Sequence, residues 1–136
     1  MDQKGFSLKE LLIVISLVLV LIVFGVALIS SERAKVRDAR RMADLTQVRF
    51  GFEVLFQEKN SYAEAAAGCS QVGNLVSACS LGAYLADIAS IKDPGRSRYQ
   101  VTVVPNEENY EVTFFLEKGY DSLKKGKHTL SAVGIR

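Results

Sequence analysis

Residues Gly5 to Ile29 read GFSLKELLIVISLVLVLIVFGVALI. From Leu11 to Ile29 nineteen consecutive residues carry no charge, and only Ser16 and Gly25 interrupt the large hydrophobes. At a helical rise of ~1.5 Å per residue the run covers ~28 Å, the depth of a bilayer's hydrocarbon core. A soluble domain does not place nineteen apolar residues in a row. The stretch therefore reads as a membrane-spanning helix. One carboxylate, Glu10, stands at its mouth, where an unpaired charge costs several kcal/mol.

The rest of the chain sets bounds around this segment. With 136 residues there is room for one span and one small domain. The hydrophobic fraction of 49% is inflated by the apolar run, and from Ser30 onward the composition is that of an ordinary soluble domain. A net charge of +2 is too small to argue for nucleic acid as a partner. The two cysteines, Cys69 and Cys79, point to one disulfide outside the cytoplasm or to a pair of free thiols. Their C-x9-C spacing fits no zinc signature, and no histidine lies nearby.

A cleavable secretory signal would have a shorter apolar core followed by a small-residue site. Here the run is too long, and a small residue, Gly5, lies before it. The residues Lys4-Gly5-Phe6-Ser7-Leu8-Lys9-Glu10-Leu11-Leu12 resemble the class III signal of type IV prepilins and type II secretion pseudopilins. The resemblance implies cleavage between Gly5 and Phe6 by a prepilin peptidase and methylation of the new Phe6 amine. It also implies that the apolar run stays in the mature protein. Lys9 departs from the family, which has an apolar residue there. The helix-breaking proline that many pilins carry late in the run is also missing, since no proline precedes Pro94.

Glu10 also has a partner that charge alone suggests. After cleavage the Phe6 amine is a compact cation, and it can pair with Glu10 of its own or a neighbouring chain. In a helical filament of identical subunits that pairing would fix axial register, and stacked apolar helices would replace lipid.

Beyond the run, Met42, Leu45, Val48 or Arg49, Phe52, and Leu55 or Phe56 recur every three or four residues. The spacing predicts one helix of about fifty residues, ~80 Å long, apolar all round at first and one-sided later. The stretch KVRDARRMADLTQVRFGFEVLFQEKNSY is also similar to the corresponding part of that family. The basic cluster from Arg33 to Arg41 runs against the positive-inside rule if the C-terminal domain is exported. It reads as a solvated face, or as a surface meeting Glu53, Glu58 or Glu64 of neighbouring subunits through Arg40 and Arg41.

From Ser61 to Pro94 the pattern weakens. Ala63–Ala67 suggests a helical turn, and Leu81, Tyr84, Leu85, Ile88 and Ile91 suggest a short amphipathic helix. From Arg98 the period becomes two. Strands are expected over Tyr99–Val104 and Tyr110–Glu117 around a turn at Asn106–Asn109. A basic loop over Gly119–Lys127 and a third strand over His128–Ile135 follow.

The expected architecture is α+β and pilin-like, a long N-terminal helix packed on a small antiparallel sheet of three or four strands. The parts are a leader (1–5), the apolar half of the helix (6–29), its amphipathic half (30–60), a connecting region with the cysteine pair (61–97) and the sheet (98–136). No phosphate loop, metal cluster or Ser-His-Asp set is present, and the one histidine, His128, reads as a surface residue. No enzymatic activity, cofactor or metal is therefore expected.

Three functions fit these readings. The first is a pilus-like extracellular filament subunit, held in the inner membrane with its N-terminus inside, then assembled by an ATPase and platform machinery. It would serve adhesion, motility or DNA uptake. The second is a pseudopilin of a type II secretion system, and the third is a membrane-anchored binding protein that never polymerises. Major pseudopilins of the family hold calcium with carboxylates in the C-terminal loop. The loop EKGYDSLKKGK has Glu117 and Asp121 among four lysines, which argues against calcium. DNA or an acidic surface could meet the cations Lys118, Lys124, Lys125 and Lys127.

Overall fold

The computed structural model describes residues 7–136. The chain is α+β, with one long helix, α1 (Leu8–Lys59), followed by three short 3-10 turns and four strands. Two compact units divide it, residues up to Arg33 and residues from Ala34 to the end.

In the first unit α1 is apolar and exposed, from Leu8 at 76% to Ile29 at 56%. By length and composition it could cross a membrane. Two of its three serines are satisfied locally. Ser16 Oγ donates to the Ile13 carbonyl at 2.8 Å, and Ser30 Oγ to the Ala27 carbonyl at 2.9 Å. Such back-bonding spares these two hydroxyls the need for water within an apolar environment.

In the second unit the remaining length of α1 becomes one-sided. Ala34, Asp38, Arg41, Leu45, Val48, Gly51, Phe52 and Leu55 are buried. The three-to-four spacing thus selects Val48 over Arg49, and Leu55 over the partly buried Phe56. The helix stops because Asn60 turns left-handed (φ 52°) while its N–H still bonds the Phe56 carbonyl at 2.7 Å. That is an αL cap, for which asparagine is the usual substitute for glycine.

The sheet is an antiparallel meander of β1 (Gln100–Val103), β2 (Glu111–Tyr120), β3 (Leu123–Ser131) and β4 (Gly134–Ile135), in that order. Val101, Val112, Phe114, Leu116 and Leu130 meet Leu45, Val48, Phe52 and Leu55 of α1 in one core. Phe52 stacks on Tyr110 at 3.7 Å between ring centroids, and Tyr62 closes on Tyr110 edge-on at 5.0 Å. Burying each large side chain contributes about 1.5–3 kcal/mol.

Three expectations are corrected. The segment Leu81–Ile91 is a chain of turns with one 3-10 piece at Ile88–Ser90, not a helix. Successive bonds from Tyr84 and Leu85 to Leu81, from Ile88 to Leu85 and from Ile91 to Ile88 keep the apolar spacing without a continuous helix. An eleven-residue stretch that contains Gly82 nucleates a helix poorly. The expected loop Gly119–Lys127 is instead the outer end of a long hairpin. It turns at Asp121 (φ 50°), and β3 runs back from Leu123. The expected third strand therefore divides into the end of β3 and the two-residue β4.

Candidate functional site

Glu10 is the third residue of α1 and is exposed. Its Oε2 accepts the Ser7 backbone N–H at 2.9 Å. Ser7-Leu8-Lys9-Glu10 is thus the acidic half of a capping box, S-x-x-E. The carboxylate satisfies one of the orphan donors at the helix start and sits at the favourable end of the helix dipole. The S-x-x-E spacing is the signal in the sequence for this local partner, which the expected pairing with the Phe6 amine does not include. Gly5 and Phe6, the expected cleavage pair and methylated residue, lie outside the described residues, and so does the expected Phe6–Glu10 pairing.

The second polar centre was not foreseen. Asp38 and Arg41, one helical turn apart on the buried stripe, are 0% and 1% exposed. Arg41 holds Asp93 through Nε (2.7 Å) and Nη2 (2.9 Å), and its Nη1 reaches Asp38 (2.7 Å) and Glu117 (2.8 Å). Arg37 adds a fork on Glu117, with Nε at 2.7 Å.

Asp38 also accepts three backbone N–H groups of β2, from Glu117 (2.9 Å), Lys118 (2.7 Å) and Gly119 (3.0 Å). These amides converge because the pairing of β2 with β3 shifts register between Leu116 and Gly119. A bulge of this kind re-aims backbone groups. Gly119 takes φ +111°, and a Cβ there would lie 2.5 Å from the Leu123 carbonyl oxygen.

Burial pushes the Asp38 carboxyl up, but the three amides and Arg41 outweigh it, and its pKa is lowered. Glu117 is pulled down to about 2, first by Arg37 and then by Arg41. Arg41 is held charged well above its ordinary value, chiefly by Asp93. Next to this network the Tyr99 hydroxyl donates to Asp44 at 3.0 Å. Burial and the neighbouring Asp44 charge raise the Tyr99 pKa, and burial raises that of Asp44.

The basic cluster is corrected accordingly. Arg41 is not a surface for neighbouring subunits, because its donors are spent inside the unit. Arg40 remains exposed. Two of the expected acidic partners also have partners within the chain, Glu53 with Arg49 at 2.7 Å and Glu64 with Lys59 at 3.7 Å. Glu117 is committed to Arg37 and Arg41, whereas Asp121 lies exposed at the hairpin turn. Among the described residues no group of three or more His, Cys, Asp or Glu is placed to hold a metal ion.

Cys69 and Cys79 form a disulfide, and both are buried. The loop they close lies along the free edge of β1. Gly73 N–H donates to the Val101 carbonyl (2.8 Å), Val101 N–H to Asn74 (2.8 Å) and Val76 N–H to Tyr99 (3.0 Å). The loop therefore covers an edge that would otherwise be open to pairing with another chain. His128 is half-buried, its Nε2 donating to the Lys124 carbonyl at 2.7 Å and its ring tilted against Phe114.

Compared with protein-family models, characterised proteins and solved structures, the chain matches none.

Proposed function

We propose that this chain is the structural subunit of a type IV pilus-like filament. It waits in the inner membrane on the apolar half of α1 and is then packed with identical copies into an extracellular fibre. Adhesion, motility and DNA uptake are the uses such a fibre would serve. The observation that carries the reading is the content of one unbroken helix. Its first part is apolar all round and exposed, with a single carboxylate at its third residue. Its last part is the spine of a disulfide-bonded α+β unit. A disulfide persists outside the reducing cytoplasm, which supports export of the second unit.

Two facts weigh on the alternatives. Glu117, half of the carboxylate pair that a pseudopilin would offer to calcium, is already neutralised by two arginines. Arg37 and Arg41, which weigh against export in a count of positive charges, are needed on that side as halves of a folded ion network.

The test must separate a register-setting Glu10 from a mere helix cap. Glutamine at N3 also completes a capping box. Glu10→Gln thus keeps the cap and removes the charge. Under this reading the variant inserts into the membrane at wild-type level, but electron microscopy finds filaments lost by at least about tenfold, as expected for a desolvated ion pair that lacks one partner. Normal filaments from Glu10→Gln would reduce the residue to a cap. N-terminal sequencing of the mature protein should begin at Phe6.

A further inference from the structure

The second unit is electrically polar along α1. At the level of Arg37 and Arg41 a groove of about 380 Å³ opens, lined by Arg37, Arg96, Ser97, Phe115 and Glu117 among others. Arg37, Arg41 and Glu117 satisfy one another there, so the cation left over is Arg96, which is exposed and has no acidic partner within the described residues. Lys118, Lys124 and Lys125, on the hairpin that carries Phe115, are exposed as well. Phe115 is 38% exposed and offers the groove an apolar wall.

At the opposite end of the unit, where α1 ends, the turn Asn106–Asn109 is tied down. Tyr62 N–H donates to the Asn106 carbonyl at 3.0 Å, and Asn106 Oδ1 accepts the Glu108 and Asn109 N–H groups at 3.0 Å each. This holds up two adjacent exposed carboxylates, Glu107 and Glu108, without a basic partner within the described residues. The ends are some twenty helical residues apart, roughly 30 Å along α1.

We infer that the Arg96 groove is the docking site for the Glu107–Glu108 turn of a second copy of this chain. The inference rests on the filament reading and deepens it by naming a contact between subunits. Charge complementarity favours this occupant. The groove presents an unmatched cation flanked by the hairpin lysines, which outnumber the exposed Asp121 at the hairpin tip, the turn presents a pair of unmatched carboxylates, and the two belong to different ends of the same unit. A contact between different patches of identical subunits does not close on itself as a two-fold dimer does. Repeated, it generates a ring where the rotation closes and an open helical array where it does not, and the filament reading takes the second. The groove cannot reach its own chain's turn, so every such contact is made between molecules.

Charge exchange in the full-length protein tests this in cells that express it. Arg96→Glu, and separately Glu107→Lys with Glu108→Lys, should each lower filament yield by at least about tenfold, since like charges then face each other. Combining the three substitutions should restore it. In parallel, Arg96→Lys in membranes is treated with a zero-length carbodiimide, and a peptide joining residue 96 to residue 107 or 108 of another copy is sought by mass spectrometry. If wild-type filaments form and Arg96→Glu forms them equally well, the contact is wrong and the filament reading stands. Failure of the combined variant to recover, together with no 96–107 or 96–108 link, also overturns it. If the wild type forms no filaments, that reading falls and the cross-link alone decides. Its presence supports the head-to-tail contact, and its absence removes it.

Discussion

Arg41 shows what a single side chain can be asked to do inside a small domain. It joins α1 to the 93–97 segment through Asp93 and to β2 through Glu117, pairs with Asp38 on its own helix, and is 1% exposed. Buried ion pairs contribute little net stability relative to an apolar replacement of the whole set, but removing one partner strands the others. Arg41→Met leaves Asp93 with the Gly95 N–H but without the guanidinium that neutralises it, while Asp38 keeps its three backbone amides. The expected cost is about 3–5 kcal/mol, read by chemical denaturation of the full chain in detergent. A loss below about 1 kcal/mol would mean that water replaces the guanidinium freely. Part of this network was legible beforehand. The buried spacing 34, 38, 41, 45, 48, 52, 55 continues the apolar stripe back into RDARR. Composition concealed it, because charged residues on a helix are read first as a solvated face. Glu10 is a similar case, since Ser7-x-x-Glu10 carries its own local explanation in its spacing.

Among the elements, α1 and the strands follow from the period of their apolar residues, and their limits follow from local chemistry such as Asn60. The connecting region from Ser61 to Pro94 was the least legible, because it is held by contacts distant in sequence. Its turns depend on the disulfide, on the β1 edge and on the close approach of Leu85 to Gly51. Spacing of apolar residues cannot tell a helix from a series of turns when both advance about three residues per repeat. The long hairpin was misread for a related reason. Its outer end carries lysines on both sides, so the alternation that marks a half-buried strand fades there. Gly68 offers the sharpest test of the connecting region. It takes φ +91°, and a Cβ would stand 2.1 Å from the Ala78 carbonyl oxygen, beside the disulfide. Gly68→Ala therefore forces the loop to shift. Thermal unfolding should report a loss of at least about 2 kcal/mol, opposite in sign to the gain of about 0.4–1 kcal/mol that alanine brings where the backbone accepts it without strain.

At the scale of the whole molecule, the charges that hold the second unit together give it a defined pH range. Asp38 and Glu117 have folded pKa values below their ordinary ones, with Glu117 at about 2. The folded state therefore binds fewer protons than the unfolded chain in mildly acidic solution, so their contribution is complete above the ordinary carboxylate range. It is lost as pH falls through that range toward about 2. Asp44, raised by burial, opposes this weakly, because its folded form takes up a proton first. On the alkaline side Tyr99 and Tyr110 are raised by burial. Their phenols stay neutral in the fold, and stability falls as pH rises beyond the ordinary tyrosine value. The melting temperature of the full chain, followed by circular dichroism in detergent, should thus be flat near neutrality and decline at both ends. Glu117→Gln isolates the acid limb. It removes the group whose titration is displaced most clearly downward, so the drop between roughly pH 5 and pH 2 should shrink while the alkaline decline stays as it was. An acid limb of undiminished depth in Glu117→Gln would assign acid sensitivity to other carboxylates and deny the Arg37–Glu117–Arg41 contacts their place in holding β2 against α1.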